Sequence, residues 1–136
     1  MGVALTKDSI DLGIVVTDSE AALGFYRDLL GLEHVADTPF PGGGTMHRLM
    51  CGTTLVKLVS LDKDLAANPP GGPTGGSGLR YFTLSISNLE EVVEACKAAG
   101  VKVVWDQREI RPGVKIAMVE DPDGNWVEFL RITATD

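Results

Sequence analysis

Two charged residues stand where charge is hard to hold, and they are the natural starting point for any chemistry in this 136-residue chain. The first is Glu128, in the stretch Asp121-Pro-Asp-Gly-Asn-Trp-Val-Glu-Phe-Leu130. Asp-Pro opens a turn and Asp-Gly tolerates positive φ, so a strand arriving along Lys115 to Val119 reverses here and returns as a hairpin. Side chains alternate with period two, which puts Trp126, Glu128 and Leu130 on one face and Val127 and Phe129 on the other. With apolar residues on both faces, the carboxylate needs a partner, a ligand or a raised pKa, unless it sits at a wet sheet edge. The second is Lys57, which alternates with Leu55 and Val59 on a strand spanning Thr54 to Ser60. Its ammonium either snorkels to solvent from an edge or serves an anion. A carboxylate can act as a base and an ammonium can stabilise a developing oxyanion, so the two together suit proton transfer beside a carbonyl.

The elements that would position these groups occur twice. Ile10 to Val16 reads as a buried strand. Thr17 and Glu20 have capping-box spacing, and a helix follows with Ala22, Phe25, Tyr26, Leu29 and Leu30 on one side and a stop at Gly31. The Phe25-Tyr26 pair is read as packing. A strand near Leu32 to Ala36 precedes a loop at Asp37 to Gly44, and strands at Thr45 to Met50 and Thr54 to Ser60 meet at a turn around Gly52. Asn68 to Gly78, rich in Gly and Pro, reads as a linker or surface loop. The order then repeats. A strand at Tyr81 to Ile86 leads to a Ser87/Glu90 capping box and a helix with Leu89, Val92, Val93, Cys96 and Ala99 on one face, stopped at Gly100. Strands follow near Lys102 to Trp105, Lys115 to Val119 and Asn125 to Ile132. Thr17 and Ser87 are 70 positions apart, as are Glu20 and Glu90, which points to an internal duplication of a βαβββ unit.

Composition limits the classes of function. Apolar residues make up 44% and charged residues 23%, ordinary for a soluble globule. The formal charge of −7 and the lack of a basic stripe argue against nucleic acid and anionic membranes as partners. No apolar run approaches the roughly 18 residues of a membrane span, and the first ten residues lack the features of a signal peptide, so a cytoplasmic location is expected. Cys51 and Cys96 are far apart and are read as reduced thiols, with Cys96 filling the core. His34, His47, Arg80, Arg108 and Arg111 fall at strand ends or in loops, where solvation is the default. An arginine in a loop after Asp106 is the one of these placed to close on an anionic ligand.

The chain resembles the vicinal oxygen chelate superfamily, which includes glyoxalase I, methylmalonyl-CoA epimerase, extradiol dioxygenases and bleomycin-resistance proteins. The resemblance rests on Ile14-Val15-Val16-Thr17-Asp18, on Phe25-Tyr26-Arg27-Asp28-Leu29-Leu30-Gly31-Leu32, and on the Asp121-Pro122-Asp123-Gly124-Asn125 turn leading to Glu128. It covers nearly the whole chain. It implies an α+β fold in which paired βαβββ modules form a cupped mixed sheet, with metal ligands projecting into the cup from the first and last strand of each module. The expected single domain comprises a first module at residues 8–67, a linker at 68–79 and a second module at 80–133. Carried over to this sequence, the four ligand positions fall on Asp11, Lys57, Tyr81 and Glu128. Lysine is a poor ligand unless deprotonated and its charge repels a divalent cation, so no metal and no other cofactor is expected there.

On that alignment the cup-facing residues are Asp11, Gly13, Val15, Leu55, Lys57, Val59, Tyr81, Thr83, Ser85, Trp126, Glu128 and Leu130, an apolar wall around a small polar centre, as small-molecule sites have. Three functions remain open. One is a metal-independent isomerase, epimerase, cyclase or lyase with Glu128 or Asp11 as base, Tyr81 as acid and Lys57 as electrostatic stabiliser. The second is a binding protein that sequesters an aromatic or drug-like compound. The third is a metal-dependent glyoxalase or dioxygenase with unusual ligands. A neutralising network of the four polar groups with no further role is the structural alternative. The resemblance also implies a homodimer, with each cup built within one chain or across two.

Overall fold

The computed structural model describes residues 2–133, and the chain folds as two compact units, Met1–Leu65 and Ala66–Asp136. Each unit is a four-stranded mixed sheet with a helix between its first and second strands, the α+β architecture expected from the repeated order of elements.

The first unit contains β1 (Leu12–Val15), α1 (Ser19–Leu23), β2 (Glu33–Pro39), β3 (Gly44–Cys51) and β4 (Thr54–Leu61), with strand order β1-β4-β3-β2. β1 runs parallel to β4 and the other neighbours are antiparallel. The helix start differs from the capping box read in the sequence. Asp18, extended at φ −142°, is the N-cap, and its carboxylate accepts the Ala21 N–H at 3.2 Å. A carboxylate suits the positive end of the helix, so the cap falls one residue beyond Thr17. Helix α1 then passes into a π-helical turn at Gly24–Leu29, marked by the Leu30 N–H to Phe25 carbonyl bond at 2.9 Å. The wider turn shifts the phase of the helix. Phe25 and Tyr26 are buried in edge-to-face contact, whereas Leu29 and Leu30 are only partly covered. Strand β2 continues to Pro39, through the start of the segment read as a loop. As an edge strand it tolerates a proline that donates no ladder hydrogen bond.

The second unit contains β5 (Tyr81–Ser85), α2 (Leu89–Ala98), β6 (Val103–Arg111), β7 (Val114–Glu120) and β8 (Trp126–Ile132), in the order β5-β8-β7-β6. Leu89, Val93 and Cys96 of α2 are fully buried, and α2 packs against β6, β7 and β8. Here too the capping box is absent. Asn88 is the N-cap without a side-chain cap bond, and Glu90 instead pairs with Arg131 and Lys115 on the sheet. Strand β6 runs on to Arg111, through register shifts, so Arg108 and Arg111 lie on a strand rather than in a loop after Asp106. The β7–β8 hairpin is as expected, and its turn is built around Asp121. That buried carboxylate accepts the N–H groups of Asp123 at 2.9 Å and Asn125 at 2.8 Å, and the Asn125 side-chain amide at 2.9 Å. Gly124, at φ +83°, completes the reversal.

Candidate functional site

In the second unit, cross-strand register defines the surface around Glu128. Trp105, Met118, Glu128 and Thr83 form one row across β6, β7, β8 and β5, and directly paired residues share a face. The next rows are Glu120, Trp126 and Tyr81 on one side and Arg108, Ile116, Leu130 and Ser85 on the other. Val127 and Phe129, on the opposite face, are buried. Thr83 Oγ1 donates to Glu128 Oε1 at 2.6 Å, and among the described residues this is the side-chain bond that holds the carboxylate. The expected cup-facing residues Tyr81, Thr83, Ser85, Trp126, Glu128 and Leu130 therefore do share a face.

Around this carboxylate the surface is aromatic. The Trp105 and Trp126 rings meet edge to face at 6.0 Å, and the Arg108 guanidinium lies over Trp105 at 5.0 Å. Trp126 Nε1 donates to Glu120 Oε1 at 3.2 Å. Tyr81 is half exposed beside an open hollow of about 340 Å³ shared with the loop from Pro73 to Arg80. That loop is anchored rather than free. Arg80, read in the sequence as solvated, donates to the carbonyls of Gly72 and Pro69, each at 2.7 Å. Gly72 is buried against Trp126, where a Cβ would lie 2.2 Å from the indole ring.

In the first unit the equivalent row is Gly13, Lys57, Arg48 and Ala36, with Val15, Val59 and Met46 in the next. Leu55 and Val59 are buried and Val15 is half exposed. Lys57 thus stands beside Arg48, a residue that sequence reasoning missed although its alternation with Met46 and Met50 places it on the same face. Neither cation forms an ion pair among the described residues; Arg48 Nη1 lies 3.3 Å from Met46 Sδ. Asp11 is engaged elsewhere: its Oδ1 accepts from Lys7 Nζ at 2.5 Å and from the Leu55 N–H at 2.9 Å. These two bonds, the lysine first, hold its carboxyl below the usual range, with Lys57 adding a smaller pull in the same direction.

A cluster that sequence reasoning left in solvent lies on the opposite face of this sheet. Asp37 pairs with His47 across β2 and β3, and a bulge after His34 brings that ring to the same place. Asp37 Oδ1 lies 2.6 Å from His34 Nε2 and 2.7 Å from His47 Nδ1. The two imidazoles, His34 first, hold the Asp37 carboxyl below its ordinary pKa.

The matched family agrees with this architecture: the model of the Glyoxalase/Bleomycin resistance protein/Dioxygenase superfamily covers residues 9–129. The chain belongs to this superfamily. Solved superfamily structures share the fold at low identity. A glyoxalase family protein from Enterococcus faecalis matches at 24% identity with a TM-score of 0.74, over 92% of this chain and 98% of that one. One from Bacillus cereus matches at 13% identity and a TM-score of 0.80, over 96% and 100%. The trypanothione-dependent glyoxalase I of Leishmania major matches at 20% identity and 0.69, over 93% and 87%. No protein of curated function matches the sequence. The metal site that the superfamily implies does not fit the residues present at its four positions. Asp11 Oδ1 is taken by Lys7 and a backbone amide, Lys57 is a cation, and Tyr81 offers a phenol, so that two carboxylates, each with one oxygen already hydrogen-bonded, would have to hold the ion beside an ammonium.

Proposed function

We propose that the chain binds a small organic molecule on the face of the second unit that carries Glu128, and that it moves a proton beside a carbonyl without a metal there. The observation that carries this reading is the state of Glu128. One carboxylate oxygen is oriented by Thr83, the other is left to a ligand, and Met118 and Trp105 extend the row as an apolar and aromatic wall. A base needs such fixed orientation with one lone pair open to the substrate. Tyr81, one row away on β5, is assigned as proton donor. In the first unit Lys57, reinforced by Arg48, is assigned to the binding of an anionic group such as an enolate or carboxylate. The reaction class is isomerase, epimerase, cyclase or lyase.

Sequestration of an aromatic or drug-like compound is the second reading. It is favoured by the Trp105–Trp126 pair with Arg108 over the Trp105 ring, a surface suited to stacking. The two readings separate by exchange chemistry. Carbonyl compounds that bind should take up solvent deuterium at the carbon next to the carbonyl with the native chain, and Glu128→Gln should slow that exchange by about a hundredfold or more. Ligands that bind tightly yet return unexchanged would reject the enzyme reading in favour of sequestration. A homodimer is part of the proposal, because β1 and β5 stand last in the strand order of their own sheets, and edges of that kind invite a second copy. A monomer mass by sedimentation at micromolar protein would remove it.

A further inference from the structure

We propose that His34, Asp37 and His47 form a binding site for one divalent transition-metal ion, of the zinc, nickel or copper type, outside the ligand positions of the superfamily. The chain has two histidines, and both lie in this cluster. Their side chains, 20% and 13% exposed, converge from adjacent strands on a carboxylate that is 52% exposed at the sheet edge. The three ligating atoms lie within 4.8 Å of one another. Two imidazoles and one carboxylate suit borderline ions rather than calcium or magnesium, and the exposed side of Asp37 leaves room for water to complete the coordination. The face is the one that carries the buried Leu49 and Leu58, opposite Arg48 and Lys57, so the superfamily's own positions do not contribute.

In the hydrogen-bonded arrangement both rings sit closer to Asp37 than ligands of one ion do. Metal–ligand bonds of about 2.0–2.1 Å place tetrahedral ligands on the order of 3.4 Å apart, so Asp37 must swing outward by somewhat less than 1 Å. Its exposure at an edge strand allows this. The more specific obstacle is Arg27. Its Nη1 lies 3.4 Å from His34 Nδ1, and because a guanidinium can only donate, that contact favours the tautomer with the ring proton on Nε2, the atom the metal needs. Metal binding requires that proton on Nδ1 and the guanidinium turned away. Arg27 has a second partner ready, since its Nε donates to Asp28 Oδ1 at 2.8 Å and its Nη2 to Asp28 Oδ2 at 3.3 Å. Arg27 therefore opposes the ion through the His34 tautomer, and glutamine in its place would accept the Nδ1–H and support metal-bound imidazole.

The test uses the untagged full chain, freed of metal with chelator and titrated with zinc or nickel against a chromophoric competitor. One ion per chain is expected. His34→Gln and His47→Gln should each weaken binding at least about tenfold, and Arg27→Gln should tighten it by about tenfold, in the range found for partners of metal-bound histidine. Should a histidine variant fail to fold, copper(II) bound to the native chain must display coupling to two imidazole nitrogens in its electron paramagnetic spectrum. Lys57→Met and Glu128→Gln should leave metal affinity unchanged. No binding below millimolar metal, a site that survives loss of His47, one that depends on Glu128, or an Arg27→Gln variant that binds no tighter, each overturns the assignment. None of these results bears on deuterium exchange at the Glu128 face, so this proposal and the functional one fail separately.

Discussion

Arg48 and Lys57 are direct cross-strand partners on one face of the first sheet, two cations side by side with no ion pair to either among the described residues. Like charges placed opposite one another destabilise a sheet pair, by roughly 0.2–1 kcal/mol, so an arrangement of this kind is retained at the expense of stability. An anionic ligand is what would relieve it.

Lys57→Met should therefore raise stability slightly, by about 0.5 kcal/mol, while weakening the binding of a carboxylate ligand by about tenfold through loss of a charge-assisted bond. Thermal melts and carboxylate titrations on one preparation give both numbers. A variant that is less stable than the parent would mean that the lysine has a structural partner and would remove the argument for a strained binding pair.

Glu90 links α2 to the second sheet through Arg131 and Lys115, and the Arg131 bond chiefly lowers its pKa from 4.5 to about 2. The folded-state value lies below the ordinary one, so the contribution is complete above about pH 4.5 and is lost as pH falls toward 2. Melting temperature followed from pH 5 to pH 2 should fall less steeply in Glu90→Gln than in the parent. The difference should shrink in high salt, because Glu90 is 51% exposed and its pairs are screened.

Gly72 adopts φ +53° and lies flat against Trp126. Gly72→Ala adds strain at that φ and a Cβ inside the contact distance of the indole, so it should destabilise by about 2 kcal/mol and push the ring toward solvent. Tryptophan emission in a Trp105→Phe background isolates Trp126 and should move to longer wavelength. Unchanged emission would mean that the loop, not the ring, yields.

The repeated βαβββ order, the Asp121 turn and the facing of Glu128 and Lys57 were legible because they depend on local rules. Alternation, helical spacing and turn residues act over a few positions, and the duplication reinforced each reading with a second copy. Where local signals compete, the boundaries moved. Asp18 displaced Thr17 as the first cap, and Glu90 left its capping role because Arg131 and Lys115 offered a stronger partner on the sheet. β2 and β6 ran beyond their sequence signals because neighbouring strands supplied ladder bonds that propensity alone does not count.

By itself, then, the sequence determined the two-module fold and the face on which Glu128 lies. Only tertiary structure decided which side chains meet. Strand pairing set Arg48 against Lys57 and Thr83 against Glu128. The same pairing, with a bulge after His34, gathered His34, Asp37 and His47 around one carboxylate oxygen, although the histidines are 13 positions apart with no ligand spacing to announce them. The physical reason is that periodicity assigns a residue to a face, whereas register and bulges assign it a neighbour, and a one-residue shift in register replaces every neighbour it has.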